Sequence, residues 1–149
     1  KMKPTDFMTR EELRQVEEAV DAAERKTSGE IRVMIVSDLG KGIKTPHEQA
    51  IHEFYRNGMQ NTRDKTGVLV LLVLEKRAIE VLADQGINEK VESGTWNGVA
   101  NAMSEGIRQG RHCEAVCNAV REIGEVLALH FPRRPDDTDE LPDAVIVRD

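Results

Sequence analysis

Glu30, Asp64 and Asp84 are the residues of this chain whose types and placement suggest chemistry. Each borders a segment that reads as a β-strand. Hard cations such as Ca²⁺ and Mg²⁺ take oxygen ligands, and several carboxylates around one point supply both charge and coordination. Without a cation, carboxylates held close together repel and raise one another's pKa. Gly86, just after Asp84, permits a tight turn that would let a backbone carbonyl join the set. The plainer reading is a group of solvated loop acids, in a chain whose net charge is −6.

Other chemistry is thinner. The loop Asp38-Leu39-Gly40-Lys41-Gly42-Ile43-Lys44-Thr45 has glycines, lysines and a following helix N-terminus, a combination that favours anions. It lacks the order and spacing of a P-loop, and a flexible loop feeding a capped helix explains it. His112, Cys113 and Cys117 are candidate soft-metal ligands, but a zinc site needs about four ligands and no second pair is present. Burial on a helix face is the expectation for the two cysteines. His47 and His52 do not share a helical face well, and His130 suits a helix C-terminus. No Ser/His/Asp set stands out, and Gly-x-Ser-x-Gly is absent. The run Asp136 to Asp143 fails the EF-hand pattern, having no glycine at the turn and a proline inside, so it reads as a solvated acidic linker.

The elements that must hold these groups follow from periodicity. Thr9-Arg10-Glu11-Glu12 is a capping box, and Leu13, Val16, Val20 and Ala23 recur at helical spacing. Together they predict an amphipathic helix over roughly residues 10–27. Ile31 to Val36 is short and apolar, as expected of a strand buried on nearly both faces. Thr45-Pro46-His47-Glu48 opens a second capped helix, with proline where its missing N–H is harmless. Val68 to Leu74 is the most apolar stretch and predicts a central strand. The turn Glu75-Lys76-Arg77 is too short for a crossover, so Ala78 to Ala83 must return antiparallel. The helix between the first two strands is long enough for a parallel crossover. That topology brings Glu30, Asp64 and Asp84 to one edge of the sheet. Beyond Gly86 the pattern is helical, with Trp96, Val99, Met103 and Ile107 on one face and Cys113, Val116, Val120, Ile123 and Leu127 on another. Trp96 is expected in the core, with a wall of the Asp84 pocket as the alternative.

At 149 residues, the chain fits one domain, 1–132, and an extended acidic tail, 133–149, whose Val145-Ile146-Val147 is able to pack on the domain or add an edge strand. Its acidity and few aromatics argue against a nucleic-acid surface. The longest apolar run is too short to cross a bilayer, and residues Lys1 to Phe7 carry no signal core. Two cysteines in a helical pattern fit a reducing compartment, so a cytoplasmic setting is expected.

Read together, Thr27-Ser28-Gly29-Glu30-Ile31-Arg32-Val33, Gly67-Val68-Leu69-Val70, Ala83-Asp84-Gln85-Gly86-Ile87 and Trp96 with its amphipathic helix resemble the TPM domain family. His130-Phe131-Pro132 and Glu140-Leu141-Pro142-Asp143 are similar to the ending of its small stand-alone bacterial members. The resemblance implies an α/β fold, a three-layer α/β/α sandwich with a Rossmann-like mixed sheet. It also implies kinship with plant proteins of photosystem II repair and acid phosphatase activity, and with animal proteins of receptor complexes. Some members bind calcium or similar cations. Many bacterial members carry a signal peptide and a membrane segment, and neither is visible here. Glu30 and Asp84 carry over as metal ligands. Asp64 stands where relatives often have a polar residue, and Lys65-Thr66 replaces the commoner Arg-Asn. Two functions follow. One is a calcium- or magnesium-binding module that acts through a protein partner. The other is a metal-assisted acid-type phosphatase, for which no residue is convincing as nucleophile.

Overall fold

A computed structural model describes residues 1–149. The chain opens with a short turn of helix, α1 (Pro4–Phe7), and then α2 (Arg10–Glu24). The expected capping box starts α2: Thr9 Oγ1 accepts from the Glu12 N–H at 3.1 Å, and Glu12 Oε1 accepts from the Thr9 N–H at 2.9 Å. The helix ends at Glu24 rather than at residue 27, because Thr27 leaves it to bond the far end of the domain, its Oγ1 donating to the Phe131 carbonyl at 2.5 Å.

Strand β1 (Glu30–Val36) leads to α3 (Pro46–Arg56), then to β2 (Gly67–Val73) and β3 (Ala78–Ala83). The crossover through α3 sets β2 parallel to β1, in register from Glu30 opposite Gly67 to Val36 opposite Val73. The tight turn after β2 sets β3 antiparallel, with Val68 opposite Ala83 and Val73 opposite Ala78. A short helical turn, α4 (Gln85–Asn88), precedes α5 (Thr95–Arg108) and α6 (His112–His130). The chain finishes in β4 (Ile146–Arg148), parallel to β1, so the sheet order is β3-β2-β1-β4.

Alternation along the strands divides the apolar residues between two layers. Ile31, Val33, Ile35, Val68, Val70 and Leu72 join the larger core under α2, α5 and α6. Met34, Val36, Leu69, Leu71 and Val73 face α3 with Ala50, Phe54 and Met59. This is the three-layer α/β/α sandwich. Trp96, 9 % exposed, belongs to the larger core. Small residues set the close approach of the long helices: a Cβ on Gly124 of α6 would come within 2.7 Å of the Ala23 Cβ on α2. No helix is long and apolar enough to cross a membrane.

Residues 133–149 correct the picture of a solvated linker. Arg63 pairs with Asp137 at 2.7 Å and Asp136 at 3.3 Å, Leu141 packs against the α3-side core, and the end of the chain becomes a sheet strand. Both alternatives for Val145-Ile146-Val147 are realised: Ile146–Arg148 adds an edge strand, and Val145 and Ile146 pack against the two cores. The composition of this segment looked unstructured because its ordering comes from ion pairs and a borrowed sheet edge, neither of which leaves a periodic pattern.

Candidate metal centre

Glu24 occupies the last turn of α2, and Glu30 is the first residue of β1. Both are almost wholly buried, at 1 % and 2 % exposure. Glu24 follows Val16 and Val20 at four-residue spacing, so the helix delivers it to the inner face along with them. A carboxylate there also opposes the negative end of the helix dipole. Glu30 lies over the sheet edge, its backbone N–H bonded to the Thr66 carbonyl at 3.0 Å.

Each carboxyl has one satisfied and one unsatisfied oxygen. Glu24 Oε2 accepts from the Ile31 N–H at 2.8 Å, and Glu30 Oε1 accepts from the Glu140 N–H. Glu24 Oε1 and Glu30 Oε2 are buried and have no partner. Asp139, arriving on the C-terminal segment, brings a carboxylate oxygen within 4.8 Å of oxygens of both. Two oxygens bonded to one calcium at about 2.4 Å lie at most about 4.8 Å apart, so the separations are compatible with one shared ion. Asp139 belongs equally to a second group of ligand atoms, with Asp21 and Asp143, and Asp143 Oδ1 is again buried without a partner.

The electrostatics match. Burial, reinforced by the neighbouring Asp143 carboxyl, pushes the Glu24 carboxyl up to about 11. Burial also lifts Glu30, to about 7, against the lowering effect of the Glu140 N–H. With no cation present Glu24 keeps its proton at neutral pH and Glu30 is about half protonated, as burial beside other carboxyls favours. Cationic side chains lie at the margin. Arg133 donates to the Glu24 carbonyl at 2.9 Å and to Asp139 Oδ1 at 3.2 Å, and neither bond reaches the two unpartnered oxygens.

The backbone brings Asp84 and Glu30 to one end of the sheet, the Asp84 N–H bonding the Gly67 carbonyl at 2.9 Å, opposite Glu30. Their side chains take different partners. Asp84 caps α4, its Oδ1 accepting from the Gln85 N–H at 2.7 Å, while Oδ2 is buried and unpartnered. Asp64 spends Oδ2 on Arg134, 2.5 Å away, with Arg63 at 3.8 Å. Neither aspartate belongs to the two groups of converging ligand atoms. The backbone of residue 64 does approach the Asp84 turn. A Cβ on Gly86 would come within 2.1 Å of the Asp64 carbonyl oxygen and 2.6 Å of that of Lys65.

Sequence reasoning missed Glu24 and Asp139. Glu24 had a signal: it is an acid that continues the apolar stripe of α2 at the helix end where acids are disfavoured. Asp139 had none, since it is one of several acids in the tail and only the fold selects it. The glycine loop on the opposite edge has a structural explanation: the Gly40 N–H donates to buried Gln49 Oε1 at 2.6 Å, and Gln49 in turn bonds Glu53 at 2.8 Å.

A four-stranded mixed sheet between helical layers is an architecture shared with known proteins. The profile of the TPM domain matches residues 2–126, and the chain belongs to that family. The NMR structure of the BA42 protein from the psychrophilic bacterium Bizionia argentinensis is similar over 99 % of both chains, with 31 % identity and a TM-score of 0.86. The N-terminal domain of a protein from P. gingivalis has a TM-score of 0.70 at 16 % identity, covering 88 % of this chain and 84 % of that one. The N-terminal domain of the cg2496 protein from Corynebacterium glutamicum has a TM-score of 0.62 at 13 % identity, over 80 % and 74 %. These last two share the fold. No curated protein sequence matches the chain.

Proposed function

We propose that this TPM domain is a divalent-cation-binding module, for calcium or magnesium, that acts through a protein partner. The observation that carries the reading is the convergence of carboxylate oxygens of Glu24, Glu30 and Asp139, with one oxygen each of Glu24 and Glu30 buried without a partner. Hard oxygen donors with several negative charges suit these ions and not softer ones. Glu30 is a ligand, joined by Glu24 and Asp139. Asp84 is proposed as a further ligand through its free Oδ2. Asp64 serves either through its main-chain carbonyl or by giving up its ion pair with Arg134. Because Asp139 and Glu140 come from the C-terminal segment, occupancy changes a surface that a partner protein is able to read. The phosphatase alternative requires an open coordination position for a phosphoryl oxygen, and Glu24 and Glu30 are closed to solvent. The free thiols of Cys113 and Cys117 support a cytoplasmic setting, and the net charge of −6 argues against nucleic acid as partner.

The test is a titration of the cation-free protein with Ca²⁺ or Mg²⁺, followed by amide chemical shifts. Shifts at Glu24, Ile31 and Glu140 are expected, and Glu24→Gln with Glu30→Gln should abolish them. Shifts confined to Asp64 and Asp84, and insensitive to that double substitution, would move the site away from the buried pair. No change at millimolar cation would end the proposal.

A further inference from the structure

A separate pair of metal-ligating groups lies at the other end of the α2–α6 pair. Cys113 and Cys117 lie one turn apart on α6, so their side chains share a face. Their sulfurs are 3.9 Å apart. Two thiolates bonded at about 2.3 Å to one ion are about 3.8 Å apart in tetrahedral geometry and about 4.0 Å apart in trigonal geometry. The observed separation falls between, a spacing that suits one ion bonded to both sulfurs.

The pair is not sealed in the core. Both residues are only partly buried, and both line a cavity of about 600 Å³ between the start of α2 and the start of α6. The groups that contact the Cys113 sulfur are acceptors, while Arg111 and Arg121 stand elsewhere on the cavity wall. Gln15 Oε1 is 3.3 Å from its sulfur, the Glu12 carbonyl 3.6 Å, and the Cys117 sulfur completes the set. Burial, with Cys117 beside it, pushes the Cys113 thiol up to about 12. An isolated thiolate is therefore unfavourable here, and the same acceptors would favour a cation. No His, Asp or Glu ligand atom joins the two sulfurs within 4.8 Å. A donor set of two thiolates, completed by Gln15 Oε1 or water, selects a soft ion over calcium or magnesium.

We propose that Cys113 and Cys117 form a binding site for a soft, thiophilic cation of the Cu(I) type, separate from the carboxylate centre. Binding forms two sulfur–metal bonds and releases one proton from each thiol to solvent. The ion keeps its oxidation state, and no electron is transferred.

The test uses the full chain, reduced and anaerobic, in excess Mg²⁺ so that carboxylate sites are occupied. Cu(I) is added in competition with a colorimetric Cu(I) chelator. Wild type should withdraw one equivalent and remain monomeric by size-exclusion chromatography. Cys113→Ser and Cys117→Ser should each weaken binding by roughly 100-fold or more, whereas Glu92→Gln, at an exposed residue away from both sites, should leave it unchanged. Far-UV circular dichroism checks the fold of each variant, and the positions are tested separately so that a folding failure at one leaves the other decisive. Cu(I) left with the chelator by wild type, serine variants that bind as well as wild type, or metal found only in a dimer would each overturn the proposal.

Discussion

A carboxyl group removed from water keeps its proton unless a positive charge takes the place of the solvent. Glu24 and Glu30 are in that position, and a direct consequence is a pH-dependent stability. Both have pKa values raised above the ordinary 4.5, Glu30 to about 7 and Glu24 to about 11. The unfolded chain therefore releases these protons at lower pH than the folded one. Their contribution to stability is complete below about pH 4.5 and is lost as pH rises from there, up to about 7 for Glu30 and on to about 11 for Glu24. In cation-free buffer, the melting temperature of wild type should fall between pH 5 and pH 8 relative to Glu30→Gln, which lacks the titrating group. Saturating Ca²⁺ should remove most of that difference at pH 8. The strand-border acids were legible in the sequence because Glu30, Asp64 and Asp84 flank apolar runs. What those acids touch was not. Which oxygen is left without a partner depends on Glu140 and Arg134, which lie more than a hundred residues from Glu30 and about seventy from Asp64.

At the scale of elements, local signals carried most of the reading. The Thr9 capping box, the proline at the start of α3, and the apolar run of β2 between two loops each state their element within a few residues. Thr9→Ala should cost about 1 kcal/mol in a denaturant melt, since it removes the acceptor for the Glu12 N–H. Gly86 has a role that only the fold reveals. Gly86→Ala would drive a methyl group into two backbone carbonyls that cannot both retreat, and should cost about 3 kcal/mol or more. It should also disturb the amide shifts of Asp64, Lys65 and Asp84. A cost below about 0.5 kcal/mol would show that the α4 turn is looser than described. β4 was only half legible: three residues make a strand when an edge is available, and here β1 provides it.

The whole molecule joins a compact TPM domain to a C-terminal segment that returns along it. The domain supplies Glu24 and Glu30, and the segment supplies Asp139, so the proposed site bridges the two. Removing residues 133–149 leaves the two cores largely intact, because apart from Leu141, Val145 and Ile146 their apolar residues lie before residue 133. The truncated chain should therefore stay folded by circular dichroism while its calcium affinity drops by at least ~10-fold, as expected when one carboxylate ligand is lost. Unchanged affinity would place the ion entirely on the domain. The strands and the crossover between them were legible from apolar runs and spacing, and the three layers from the family resemblance. The return of the segment was not, since long-range ion pairs such as Arg63 with Asp137 leave no local trace.

The central claim is that one divalent cation sits among Glu24, Glu30 and Asp139. A crystal structure of the full chain grown with Ca²⁺ tests it most directly. The account predicts one density peak bonded at about 2.3–2.6 Å to oxygens of all three residues, with the Glu30–Glu140 contact retained. A peak lodged at Asp64 and Asp84 instead, or an empty cluster at saturating calcium, would contradict it.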